Sequence, residues 1–185
     1  MFFDKLLSLA FGVLFLLMLA CSGSPSENEA DTISVTRSLQ RDPAFWDYAA
    51  SSNMLQAEIG RLATEKAASP KIKALGQQAA DFHSQALVSL RKLVAGESNL
   101  QLPDSLGGAD KGLVQEFMLL EGNEFDVRYR NFIISSHRTQ LDRYEEAIGR
   151  ADDQETRDWL MHMRAHMRKA LDTLAQPDSV AMPVQ

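Results

Sequence analysis

Cysteine is nearly absent: Cys21 is the only one in 185 residues, set between an apolar run and a polar tract in LLMLACSGSPSENEA. Beyond it no disulfide can form, so the stability of the folded region must come from packing. Long hydrophobic runs are missing too. The longest, LLSLAFGVLFLLMLA, has 15 residues, fewer than the roughly 20 that span a bilayer. Basic charge is not in excess, with 19 Lys and Arg against 25 Asp and Glu and a net charge of −6. An acidic chain without a basic patch argues against nucleic acid as a partner. Alternating Val/Ile/Thr runs, a Gly-Ser elbow and a phosphate-cradling loop are also missing, which leaves no strand pattern and no nucleophile-base pairing to argue from. We expect no enzyme on these grounds.

What is present at the N-terminus has the layout of an export signal. MFFDK supplies one Lys, the apolar run follows, and a small residue, Ala20, precedes Cys21. Met18-Leu19-Ala20-Cys21 resembles the lipobox of bacterial lipoproteins, in which the cysteine is acylated and becomes the new N-terminus. That resemblance implies lipidation at Cys21, a firm membrane anchor, and a place in the bacterial envelope; Ser22 favours the outer membrane, with the protein facing the periplasm. The alternative is ordinary secretion after Ala20 with a free thiol. Residues 1–20 are then a signal peptide and 21–40 a lipidated cysteine with a flexible tether rich in Ser, Glu and Asp. Residues 41–176 form the domain, and 177–185 a flexible tail.

The domain is predicted to be all-α, a ferritin-like four-helix bundle with one extra short helix in the second crossover. Ala, Leu, Gln, Glu, Lys and Arg dominate it, and Gly and Pro fall mostly at boundaries. Asp42-Pro43 and Ser69-Pro70 each place a capping side chain before a first-turn proline. They predict helices over about 43–68 and 70–96. A short amphipathic helix follows over 110–121. Asn123, with Asp126 three residues on, reads as the cap of a helix to about 148, and Asp152 with Glu155 as the cap of a last helix to 175. The last helix carries an apolar stripe of Trp159, Leu160, Met163, Met167, Ala170, Leu171 and Leu174.

Counted from those caps, Gln56, His83, His137 and His166 each stand 14 residues into a helix. That is about 21 Å at 1.5 Å per residue, near mid-height whichever way each helix runs. Histidines converging in a bundle core can bind a metal through neutral imidazoles, with Gln56 or a water as fourth ligand, and such a set suits zinc or copper. The simpler role for the same layer is a polar device that holds helix register in a non-enzymatic binding or structural protein, with metal binding as the alternative. A carboxylate di-iron site is excluded, because Ala80, Ile134, Trp159 and Met163 occupy the positions three before the four histidines. In LMHMRAHMR, His162 and His166 share a face, and Met161, Met163 and Met167 could ligate Cu(I). Met163 and Met167 also lie in the apolar stripe, where packing is the simpler role.

FWDYAASSNMLQAEIGRLATEKAASPKIKALGQQAADFH, a later LP, EGNEFDVRY, His137 and His166 together resemble the domain of unknown function 4142 family of exported bacterial proteins. The resemblance covers about residues 43–174. It implies a ferritin-like bundle in the envelope with no established activity, and an envelope protein is then a natural partner. Asn53, Leu62, Ala63, Lys66, Ala67, His83, Phe125, Asp126, Tyr129, His137 and His166 match the family pattern. Gln56 stands where the family usually has Glu, Phe82 where it usually has Asp, and Met161 where Pro is common.

Overall fold

A computed structural model describes residues 38–97 and 99–176. The expected signal peptide, Cys21, most of the expected tether and the expected C-terminal tail lie outside the described residues. Five α-helices make up the described domain: α1 (Pro43–Lys66), α2 (Pro70–Leu93), α3 (Gly108–Met118), α4 (Gly122–Arg150) and α5 (Gln154–Ala175). A single 3-10 turn, Leu39–Arg41, precedes α1. The architecture is an all-α helical bundle.

The first two helices begin where their sequence signals put them. Asp42 accepts a hydrogen bond from the Phe45 N–H at 3.3 Å, and the Ser69 hydroxyl accepts from the Ile72 N–H at 3.4 Å. In each case a proline fills the first helical position, where no N–H is needed. Several helix bounds differ from the sequence reading: α1 stops at Lys66, α2 at Leu93, α3 spans Gly108–Met118 rather than 110–121, and α4 runs on to Arg150.

Asn123 is not a cap. Gly122 adopts φ +59°, a conformation glycine takes without strain, and the chain turns into α4 early, with extended Glu121 at the cap position and no side-chain cap bond. Asn123 is thereby inside the first turn. Asp126 does not cap α4 either. Its carboxylate reaches across the bundle and accepts from the backbone N–H groups of Ala68 and Ser69, at 3.1 and 2.9 Å. It therefore latches the α1–α2 turn to α4. At the last helix the cap is Asp153, which accepts from the Thr156 N–H at 2.7 Å. Asp152 instead accepts a hydrogen bond from the Ser38 hydroxyl.

Contacts at the helix ends fix the course of the chain. Ala67 bridges Gly122, and Lys71 donates to the Gln176 carbonyl. At the other end Phe45 packs edge-on against Tyr144 at 5.8 Å, Arg150 pairs with Asp42, and the Trp159 indole donates to the Ala86 carbonyl at 3.3 Å. The run is thus up, down, a crossover carrying α3, then down and up. That is one long connection between two antiparallel hairpins, as in ferritin-like bundles.

The core is divided along its length. Leu39, Phe45, Trp46, Leu90, Tyr144, Trp159, Leu160, Met163 and Met167 belong to one apolar cluster, near the start of α1. Ile59, Ile72, Phe117, Phe125, Tyr129, Phe132 and Ile133 belong to the other. Phe117 brings α3 into this second cluster, edge-on to Phe125 and Phe132 at 5.4 and 5.5 Å. Met163 and Met167 are core residues, as the apolar stripe suggested, while Met161 is exposed.

The first hairpin is held unusually close by two glycines. A Cβ built on Gly60 would lie 2.8 Å from the Gly76 carbonyl oxygen, and one on Gly76 would lie 2.5 Å from the Ala63 Cβ. Small residues let the two backbones meet directly, so α1 and α2 act as one slab. Gly76→Ala is expected to lower stability by about 1–3 kcal/mol through overpacking. Chemical denaturation followed by far-UV circular dichroism should show an earlier midpoint with native helical content before the transition.

Candidate metal centre

Between the two apolar clusters lies a layer of buried polar side chains. Helix α1 contributes Asn53 and Gln56, α2 contributes His83, and α4 contributes His137 and Gln140, all buried, while α5 contributes half-buried His166. The equal offsets expected from the caps do not hold in detail, because α4 is capped at Glu121 and α5 at Asp153. The errors of two residues and one amount to about 3 and 1.5 Å along the axes. The histidines still meet.

Their ring centroids are 5.1 Å apart for His83 and His166, 6.1 Å for His83 and His137, and 6.2 Å for His137 and His166. One ring nitrogen from each lies within 4.8 Å of the others. All three Nε2 atoms are buried and have no hydrogen-bond partner. The convergence is wider than the ~3.4 Å between imidazole nitrogens that share a tetrahedral ion at 2.0–2.1 Å. Ligation would require the widest pair to close by up to about 1.4 Å.

Neighbouring amides orient two of the rings. Asn53 Nδ2 donates to the Ala49 carbonyl at 2.7 Å, which turns its Oδ1 toward His83 Nδ1 at 2.9 Å. An oxygen there requires His83 Nδ1 to carry the proton. The lone pair of His83 is therefore on Nε2, the arrangement a metal-ligating histidine needs. Gln56 Nε2 donates to the Ser136 hydroxyl at 2.9 Å and lies 3.5 Å from His137 Nδ1. Its Oε1 is buried without a partner. Gln56 is thus in the layer, beside His137, as a neighbour of the three converging rings.

His166 forms the outer face of the site. Its ring stacks on Phe82 at 3.6 Å with 3° between the planes, and both residues line a cleft of about 340 Å³ with Gln78, Asp81, Gln85, Lys169 and Ala170. Of the three histidines, His166 alone lines this cleft. His162 packs on the other reach of Phe82 at 5.1 Å and is outside the converging group.

Burial keeps all three imidazoles uncharged. Desolvation, with repulsion from His166 and His137, holds His83 well below the ordinary histidine value. Desolvation first, and His166 second, push His137 down to about 3, and desolvation with the nearby His162 and Lys169 pushes His166 down to about 4. Neutral imidazole is the ligating form.

Asn53, Phe82, Ser136 and Gln140 complete the layer without having been chosen as site residues from the sequence. Asn53 could have been found from its place three residues before Gln56, on the same face of α1. Phe82 and Ser136 each adjoin a layer histidine in sequence, and nothing in their spacing marks them.

The fold and the layer define a class: an all-α helical bundle with two buried histidines and one half-buried, all uncharged, gathered at mid-height. The pattern of the domain of unknown function DUF4142 matches residues 26–176, and the chain belongs to that family. No curated protein and no solved structure matches the chain. Among the described residues, no helix is long and apolar enough to cross a membrane.

The depressed histidine values set a pH dependence. An unfolded histidine protonates below about 6.5, whereas the folded ones stay neutral to about 3 for His137 and about 4 for His166. Between those limits the unfolded chain binds more protons, so stability falls as pH is lowered. Each histidine contributes a slope of about 1.4 kcal/mol per pH unit in that window. Thermal melts from pH 7 down to pH 4 should show a falling midpoint, with a shallower fall in His166→Gln.

Proposed function

We propose that the protein is a lipid-anchored module of the bacterial envelope that binds one zinc or copper ion through His83, His137 and His166. The observation that carries the metal reading is that the three histidines each bring one ring nitrogen within 4.8 Å of the others, and that their Nε2 atoms are buried without a partner. A buried polar atom without a partner costs about 1–3 kcal/mol, and three together at one point are what a ligand shell looks like before it closes on an ion. Asn53 supplies the outer hydrogen bond that fixes a ligand's tautomer. We read the role as binding, on the ground that the sequence offers no nucleophile-base pairing to argue a reaction from. The anchor reading rests on Met18-Leu19-Ala20-Cys21 and the polar tether after it.

The full chain, purified in detergent without a histidine tag and dialysed against zinc or copper, should retain about one equivalent by elemental mass spectrometry. His83→Ala, His137→Ala and His166→Ala should each lose it. Absence of bound metal in the parent would leave the layer as a register device and sink the reading. The anchor is tested separately: labelled fatty acid should be incorporated into the parent protein and not into Cys21→Ser.

A further inference from the structure

The metal reading leaves the choice of ion open, and this inference rests on that reading. It starts from charge. The groups seen bonded to, beside or stacked on the three rings are neutral: Asn53 on His83, Gln56 beside His137, and Phe82 on His166. Among the described residues the converging group contains no carboxylate. The charged side chains near it, Asp81 and Lys169, are of opposite sign and stand in the cleft outside the Phe82–His166 stack. Asp81 is moreover held by the Gln77 amide at 2.9 and 3.0 Å.

The solvation energy lost by an ion on burial grows as the square of its charge, so a divalent ion loses about four times what a monovalent ion of the same size loses. A cage of neutral imidazoles returns none of that as charge neutralisation. Zinc and Cu(II) in such a place require an anionic ligand or a solvated fourth position. Sodium and potassium fail for a different reason, since hard cations of this kind are held by oxygen donors. Cu(I) carries one charge, and imidazole is among the ligands that suit copper. It also accepts three ligands, the number that converge here.

Gln56 is the neutral group whose replacement would change this balance most. Its amide lies 3.5 Å from His137 Nδ1, and its Oε1 is buried with no partner. In Gln56→Glu a carboxylate of the same length would replace the amide N–H that now faces His137 Nδ1, accept a proton from that nitrogen and add one negative charge beside a ligand ring. We infer that the layer selects Cu(I) over divalent ions, with His83, His137 and His166 as ligands and Gln56 as the residue that sets the preference.

The test compares affinities in the full chain, with Cu(I) measured anaerobically under ascorbate against a chromophoric Cu(I) chelator and zinc against its own chelator. Cu(I) should bind more tightly than zinc by about a hundredfold or more. Gln56→Glu should reduce that ratio by about tenfold or more, by raising zinc affinity. Gln56→Leu, which removes the hydrogen bond but keeps neutrality, should leave Cu(I) preferred. Zinc binding as tightly as Cu(I) in the parent, or a folded Gln56→Glu protein with an unchanged ratio, overturns the inference while leaving the metal site standing. Failure of both ions to bind overturns the site and the inference together. If circular dichroism shows that Gln56→Glu does not fold, the parent ratio and Gln56→Leu decide the matter.

Discussion

The rest of the structure is organised around one constraint, a sheet of uncharged polar side chains that crosses the middle of an otherwise apolar core. Such groups lose water on folding and must find partners inside the bundle. Asn53 does this by bonding both its own helix and His83, and Gln56 does it by bonding Ser136. The three Nε2 atoms do not. The apolar clusters on either side supply the burial that makes the bundle stable, and the layer sets which helix faces which. A slip of one turn, about 5.4 Å, would put His83 and Asn53 out of reach of each other and push imidazoles among Phe, Trp and Leu side chains.

Much of this was readable before any coordinates, for reasons that differ from residue to residue. Asp42 and Ser69 announce their helices because the following proline has a place at a helix start. Asn123 misled because glycine at 122 can enter the helix through a left-handed conformation, a backbone freedom that side-chain signals do not report. Asp126 misled for a similar reason: its carboxylate serves amides 57 and 58 residues away in sequence, and local spacing cannot show a long-range partner. At α5 the choice between Asp152 and Asp153 was a choice between adjacent, chemically equal caps. The height of the histidine layer was legible because rise per residue is constant. The inward turn of His166 was not, since a residue at the edge of an apolar stripe can face either way, and its stacking on Phe82 settles it.

The layer also joins two halves of unlike character. In the first hairpin Gly60 and Gly76 bring backbones into direct contact, which leaves little room for α1 and α2 to slide. The second hairpin, α4 and α5, has no such seam among the described glycines. It is tied to the first through Asp126 at one end and Asp42 with Arg150 at the other. Asn53, Gln56 and His83 ride on the slab, while His137 and His166 ride on its partner. Small movements between the halves therefore change the spacing of the three rings more than any movement within the slab.

Seen as a folding problem, the sequence positions of the rings matter as much as their geometry. His83 and His137 are 54 residues apart in the chain and are separated by the whole crossover. Loops of that length close late relative to a hairpin, so the three nitrogens come together only once the second half has docked. A chain stalled with one hairpin formed holds at most two of them. On the proposed metal reading, tight capture of an ion would be a property of the finished bundle, and an ion so held would act as a rivet between parts that the backbone alone joins only through a long and circuitous path.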